Sequence, residues 1–335
     1  MIERFEIRDF TAFDHLVVDC VPGINLFIGV NGTGKTHLLK LLYALQAAEM
    51  KGSFSKEISG KLLRVFLPRD LSLKRLLRRG KGIRKEASFT IARDGEGLTV
   101  TLNAEGAHTN GGKNYFKAER PVYIPVKEML ANAPGFRSMY VERVTHFEEI
   151  YVDIIDKAFL PPLKRLDPQF EELARLLQKT MGGQITTKNE VFYLRNRLGE
   201  IEFTLVAEGM RKLALLWLLI RNGSLEKGTT LYWDEPEANL NPSMLPLIVK
   251  VLLQLEKMGV QIFIATHSYV LLKEFDLQRT DHSLRFYSLS MDNDMEITLN
   301  SSDNYTGLSP NRIADQFTRM YNMEIDRALG CSENG

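Results

Sequence analysis

Residues 29–36 read Gly-Val-Asn-Gly-Thr-Gly-Lys-Thr, the full pattern of a phosphate-binding loop. What flanks such a loop decides whether the match has structural meaning. Upstream, Gly23-Ile24-Asn25-Leu26-Phe27-Ile28 is a short apolar run suited to a buried strand; downstream, residues 37–45 carry leucines at helical spacing. Strand, glycine-rich loop and helix is the order that aims backbone N–H groups and a helix N-terminus at a polyphosphate. A chance glycine-rich turn would lack these flanks. The expected ligand is a nucleoside triphosphate, ATP with Mg2+, held by Asn31, Gly32, Thr33, Gly34, Lys35, Thr36 and His37. In that role Lys35 reaches the β/γ-phosphates and the Thr36 hydroxyl ligates the metal.

Leu231-Tyr232-Trp233-Asp234-Glu235 is an apolar run ending in two acids. Alone it is compatible with an ordinary strand-to-turn boundary; beside a phosphate loop it has the form of Walker B. Asp234 is then the metal-holding acid, and Glu235 the base that orients and deprotonates the attacking water. Farther on, residues 237–242 form a polar turn, and residues 260–265 are an apolar run emerging into Thr266-His267-Ser268. His267 is a candidate to hydrogen-bond the γ-phosphate and report its presence. The plainer reading is a helix cap made by the same three residues.

The remaining pattern alternates strands and helices. Residues 2–7 and 15–20 read as strands, as do 87–92, 98–102 and 121–125, with an exposed turn at 110–114. Residues 127–181 turn helical, broken at Pro134-Gly135 and Pro161-Pro162 and ended by Gly182-Gly183. Residues 184–195 and 200–205 read as a two-stranded hairpin around Leu198-Gly199. A helix over 209–221, a strand over 230–233, a helix over 242–258 and a strand over 260–265 follow, which argues a mainly parallel α/β sheet with both faces covered. Residues 311–329 space Ile313, Phe317, Met320, Tyr321 and Ile325 as an amphipathic helix. The expectation is a single domain in three parts: a first lobe with Walker A (1–125), a helical insertion (126–182) and a second lobe with Walker B and His267 (183–335).

Walker A, a helix opening on Ala207-Glu208-Gly209-Met210-Arg211, Walker B, a D-loop-like turn and a switch histidine stand in the order of ABC-type ATPases. In these motifs, which span most of the chain, it resembles the AAA-labelled ABC ATPases related to OLD, RecF and SMC heads, many of which belong to bacterial antiviral systems. The resemblance implies a P-loop NTPase of ABC/SMC-head type, with a mainly parallel sheet, an N-terminal antiparallel part and a helical lobe. It also implies a homodimer closed on ATP, in which the signature Val206–Arg211 reaches the partner's γ-phosphate, with Gly209 and Arg211 as the contacting residues. The positive end of the helix after Ala207 gives that contact a physical basis. Arg8 and Phe10 resemble adenine-side contacts, though an ordinary strand-end pair fits equally. Two departures stand out. Ala207 and Glu208 replace the signature serine and first glycine, removing a hydroxyl donor and adding a carboxylate. The Q-loop glutamine is also absent, with Lys127 or Glu128 as stand-ins.

Other features bound what such an ATPase serves. The start lacks the apolar core of a signal peptide, and the apolar stretch 213–220 is too short to span a bilayer, so a soluble cytoplasmic protein is expected. Cys20 and Cys331 offer no zinc or disulfide spacing, and Cys20 reads as a small core residue. Residues between 124 and Walker B are too few for a long coiled-coil arm. The 68 residues after His267 are too few for a typical nuclease domain, and they lack a clustered set of acids. The expected arrangement is therefore a separate effector, a nuclease or toxin, controlled by this ATPase. A RecF-like DNA-repair ATPase is the alternative. Net charge is only +1, so any nucleic-acid surface must be local. The candidate is residues 61–85, where Lys61, Arg64, Arg69, Lys74, Arg75, Arg78, Arg79, Lys81, Arg84 and Lys85 face one acid, Asp70. That run reads as a phosphate-backbone surface, as a solvated helix and loop, or as a face for an acidic protein.

Overall fold

The first three strands belong to two different sheets, and their burial explains why. In the computed structural model, which describes residues 1–48, 54–79, 85–110, 121–142, 146–280 and 283–329, β1 (Ile2–Phe10) and β2 (Phe13–Asp19) alternate buried and exposed positions. One face packs and the other meets water. β3 (Ile24–Gly29) is buried at every position, as a strand covered on both faces must be. It feeds α1 (Lys35–Ala47), and α2 (Phe54–Phe66) follows. The alternating strands β4 (Glu86–Arg93) and β5 (Glu96–Asn103), with β6 (Ala107–Asn110), complete an antiparallel sheet in the order β2-β1-β4-β5-β6.

Next come β7 (Val122–Ile124) and the helices α3 (Phe136–Val141), α4 (Glu149–Ala158) and α5 (Pro168–Met181). Local chemistry sets the ends of α5. Asp167 caps the Gln169 N–H, Pro168 occupies the first turn, and Gly182 closes the helix in the left-handed region. A meander of β8 (Gln184–Lys188), β9 (Val191–Asn196) and β10 (Gly199–Glu202) leads to α6 (Glu208–Arg221). The chain finishes with β11 (Thr230–Asp234), α7 (Leu245–Lys257), β12 (Gln261–Thr266), α8 (Tyr269–Gln278), β13 (Leu284–Met291), β14 (Ile297–Ser302) and α9 (Arg312–Ala328).

The main sheet runs β14-β13-β3-β12-β11-β7, parallel throughout except at the β14 edge. One face carries a row of aromatic rings, one from each parallel strand. Tyr123 stands 6.5 Å from Tyr232, Tyr232 5.2 Å from Phe263, Phe263 6.5 Å from Phe27, and Phe27 4.7 Å from Tyr287. This wall joins α1 and the antiparallel sheet in one core; Leu26, Ile28, Trp233 and Ile264 on the opposite face join α5, α6 and α7 in the other. A mainly parallel sheet with an antiparallel N-terminal part and a helical side is the arrangement anticipated from the motifs.

Several expectations need correction. The stretch 184–205 is a three-stranded meander rather than a hairpin, because Asn189 and Glu190 both adopt positive φ and make a tight turn without glycine. The expected helix over 242–258 starts as a 3-10 turn, Pro242–Met244, before α7. Of the two strands that flank β3, β12 matches an expected strand and β13 has no counterpart in the sequence reading. The apolar spacing in α9 does form a helix, yet Phe317, Met320, Tyr321 and Ile325 stay at least 38% exposed. Its anchorage is local: Ile313 and Ala314 touch the core, and Phe317 stacks on Tyr269 at 4.2 Å. Cys20 packs partly buried against the core as expected; Cys331 and residues 111–114 lie outside the described residues.

Candidate nucleotide-binding site

Strand register assembles the site. Parallel pairing sets Ile28 beside Thr266 and Asp234 beside Ala265, so β3, β11 and β12 end together at the carboxyl edge of the sheet. Ligands of open α/β sheets bind at this edge. The phosphate loop leaves β3 there. Gly34 caps α1 at φ 85°, and a Cβ on it would lie 2.6 Å from the Phe13 ring, so both backbone and packing require glycine. Gly29 is equally confined, because a Cβ would lie 2.4 Å from the Leu289 carbonyl oxygen. Lys35 is 8% exposed, and its ammonium donates to the carbonyls of Gly29 (2.6 Å) and Val30 (3.1 Å). Burial lowers its pKa, while Glu235, Asp234 and Glu237 pull the other way. Thr33 closes the loop by donating to the Val30 carbonyl at 2.9 Å.

Asp234 ends β11 and is 3% exposed. Burial pushes its carboxyl up to about 6, an effect opposed by the Thr36 hydroxyl and the Tyr123 phenol, the latter 3.4 Å from Oδ2. Its Oδ1 is buried and has no partner among the described residues. A buried carboxylate oxygen left unpaired is costly unless something binds it. That orphan, with Thr36 alongside, fits a divalent cation. Glu235, immediately after, holds φ at 48° although it precedes Pro236. Such a conformation costs about 1–3 kcal/mol in a non-glycine residue and concentrates at functional sites. His267 Nδ1 lies 3.1 Å from Glu235 Oε1. Ser268 caps α8 through the Leu271 N–H, so the capping reading of this turn also holds, one residue on.

The loop before α6 is built differently. Arg211 points into its own chain: it pairs with Glu128 and donates to the carbonyls of Phe203 (3.0 Å) and Val206 (2.7 Å). Glu128 is fully buried on its side chain and also accepts the Leu130 N–H. The Q-loop stand-in is therefore an internal anchor. Lys212, 2% exposed, donates to the Ala238 carbonyl, and Glu208 accepts from Asn239 at 2.9 Å. A Cβ on Gly209 would stand 3.0 Å from Leu240, so the first turn of α6 packs against the turn after Walker B. Sequence reading missed Tyr123, Lys212 and Glu237 in this region. A third acid two residues after Glu235 was the available signal for Glu237.

Other expected contacts fall elsewhere. Phe10 is fully buried, edge-on to Phe66 and Phe89, and has no face left for a base; strand alternation points it inward. Arg8 lies on the exposed face of β1, paired with Glu6 at 2.5 Å. His37 is on α1 with its ring edge toward Phe66. The basic run is largely matched by acids: Lys61 with Glu149 and Asp153, Arg64 with Glu149, Arg69 and Arg75 with Asp70, Arg78 with Asp14. Lys81 and Arg84 lie outside the described residues. Among the described residues, no group of three or more His, Cys, Asp or Glu forms a metal set, and no helix is long and apolar enough to cross a membrane.

SMC heads are among the solved structures with this architecture. The chain superposes on the SMC head domain of Thermotoga maritima with a TM-score of 0.54 at 12% identity, covering 90% of this chain and 99% of that one. For an SMC head bound to the C-terminal winged-helix domain of ScpA, the TM-score is 0.60 at 14% identity, covering 91% and 98%. These likenesses speak for the fold. In sequence, a 41-residue stretch is 46% identical to the DNA replication and repair protein RecF of Rhodococcus erythropolis, covering 12% of this chain and 10% of that protein. A 44-residue stretch is 43% identical to RecF of Lactobacillus johnsonii, covering 13% and 12%. The matched stretches span about a tenth of each RecF chain. The pattern of the family described as "AAA domain, putative AbiEii toxin, Type IV TA system" matches residues 24–273, most of the chain. The chain belongs to that AAA-domain family, and its fold is that of SMC heads.

Proposed function

We propose that this protein binds and hydrolyses ATP, closes as a homodimer around it, and uses that cycle to control a separate effector in bacterial antiviral defence. The observation that carries the reading is the meeting of Lys35, Thr36, Asp234, Glu235 and His267 at one edge of the sheet, with Asp234 Oδ1 buried and unpaired. Thr36 and Asp234 would hold Mg2+, which supplies charge neutralisation on the phosphates. Lys35, donating now only to carbonyls of its own loop, turns to the β/γ-phosphates. Glu235 takes the proton of the attacking water, and His267 hydrogen-bonds the γ-phosphate through its outward nitrogen. Gly209 and the N–H groups of the first turn of α6 would meet the partner's nucleotide, a role that passes from Arg211 to the backbone because Arg211 is engaged internally.

The family description names a toxin of a toxin–antitoxin system, which supports a role in defence. A RecF-like role on DNA has the short sequence matches in its favour. Against it, Lys61, Arg64, Arg69, Arg75 and Arg78 already face acids. Capture of the Glu235→Gln protein from its native cell with Mg-ATP separates the two. A stoichiometric second protein free of nucleic acid supports effector control. Nuclease-sensitive nucleic acid without a protein partner supports the repair role and overturns the first reading.

A further inference from the structure

Three acids stand within four residues after Trp233, and the hydrolysis scheme uses two of them. The third, Glu237, has a side chain only 10% exposed. Its Oε1 accepts both the Thr266 hydroxyl (2.6 Å) and the His267 backbone N–H (3.2 Å). The Thr266 hydroxyl oxygen in turn accepts the Ser268 N–H at 3.0 Å. One carboxylate oxygen thus gathers residues 266–268 onto the turn that carries Glu235. The same oxygen stands 3.9 Å from His267 Nδ1, whose nearer partner is Glu235 Oε1 at 3.1 Å. Glu237 Oε2 is buried without a partner among the described residues.

Packing alone would be better served by an apolar side chain, since an unpaired buried oxygen costs about 1–3 kcal/mol. A carboxylate here makes sense as a strong acceptor that fixes a neighbour. We propose that Glu237 is a positioning residue: it pins the backbone at 266–268 so that His267 keeps Nδ1 on Glu235 and presents Nε2 outward. The base and the γ-phosphate contact are then held as one unit across 32 residues of sequence. This inference rests on the assignments of Glu235 and His267 made above. It gives Glu237 the task that outer partners perform for metal-bound histidines, setting which ring nitrogen faces the chemistry.

Glu237→Ala and Glu237→Gln form the test, because the glutamine amide oxygen can still accept both hydrogen bonds. Glu237→Ala is expected to lower kcat at least about tenfold with KM for ATP within about threefold, and Glu237→Gln to recover to within about threefold of the native kcat. Thr266→Val, which deletes the bridging hydroxyl and leaves the carboxylate, replaces Glu237→Ala if that variant does not fold. Native kcat in Glu237→Ala, or equal impairment in Glu237→Gln, would overturn the proposal. Nitrogen-15 NMR of the His267 ring supplies a readout that needs no turnover. Native and Glu237→Gln proteins should share one pair of ring-nitrogen shifts and Glu237→Ala should depart from it; identical spectra in all three would also overturn the role. If native turnover merely matches a Lys35→Ala control, the hydrolysis reading fails, and the ring spectra alone decide the fate of Glu237.

Discussion

The phosphate loop and the loop before α6 both gather charge at a helix N-terminus, yet they handle it in opposite ways. At the first, charged groups are buried and incompletely matched. Among the described residues Lys35 donates to the carbonyls of its own loop, and Asp234 keeps an oxygen with no partner. At the second, the buried ion pair is closed from within: Arg211 meets Glu128 and two carbonyls, and Glu208 accepts from Asn239, while Lys212, like Lys35, donates to backbone carbonyl oxygen. A site kept open at a cost in stability is one prepared for a ligand. A closed network makes a rigid platform that offers only backbone and helix dipole.

The contrast predicts that ligand binding and stability separate under mutation. Lys35→Ala should weaken ATP binding at least about a hundredfold, the loss of a charge-assisted phosphate contact, while leaving the urea midpoint near the native one. Equilibrium binding and unfolding on the same samples check both halves. Arg211→Ala should do the reverse. It strands a fully buried carboxylate, which costs about 3–5 kcal/mol, with ATP affinity of the folded protein held within about threefold. Loss of ATP affinity in a folded Arg211→Ala protein would break the comparison.

The smallest effect comes from Asp234, whose carboxyl burial has pushed up from 3.8 to about 6. A raised acid favours the fold while protonated. Its contribution is full below about pH 3.8 and is lost as pH rises through about 6, amounting to roughly 3 kcal/mol at most. Metal-free native protein should therefore lose stability from this group between about pH 4 and pH 6, and Asp234→Asn should remove that slope. Mg2+ should restore the native protein at pH 7 and leave Asp234→Asn unchanged.

What the sequence made legible follows from how locally each feature is encoded. Walker A, Walker B and the strands beneath them are contiguous patterns, and the covered strands show as unbroken apolar runs. The turn at Asn189 and Glu190 carries no glycine to mark it, so two strands read as one. β13 contains Arg285, Ser288 and Ser290, which hides a strand that in space lies beside β3. The basic run misled in a different way, because its acids come from distant segments such as Glu149 and Asp153 in α4. Charge pairing across the fold leaves no trace in a local window. The same limit hid the link between Glu128 and Arg211, 83 residues apart.

The central claim, an ATPase that closes on its nucleotide, is tested most directly by light scattering of the Glu235→Gln protein with Mg-ATP, beside turnover of the native protein. The account predicts a particle of twice the 38.2 kDa chain mass that retains nucleotide, and native turnover at least about a hundredfold above that of Glu235→Gln. A monomer with and without Mg-ATP, together with native turnover equal to that of the variant, would contradict it.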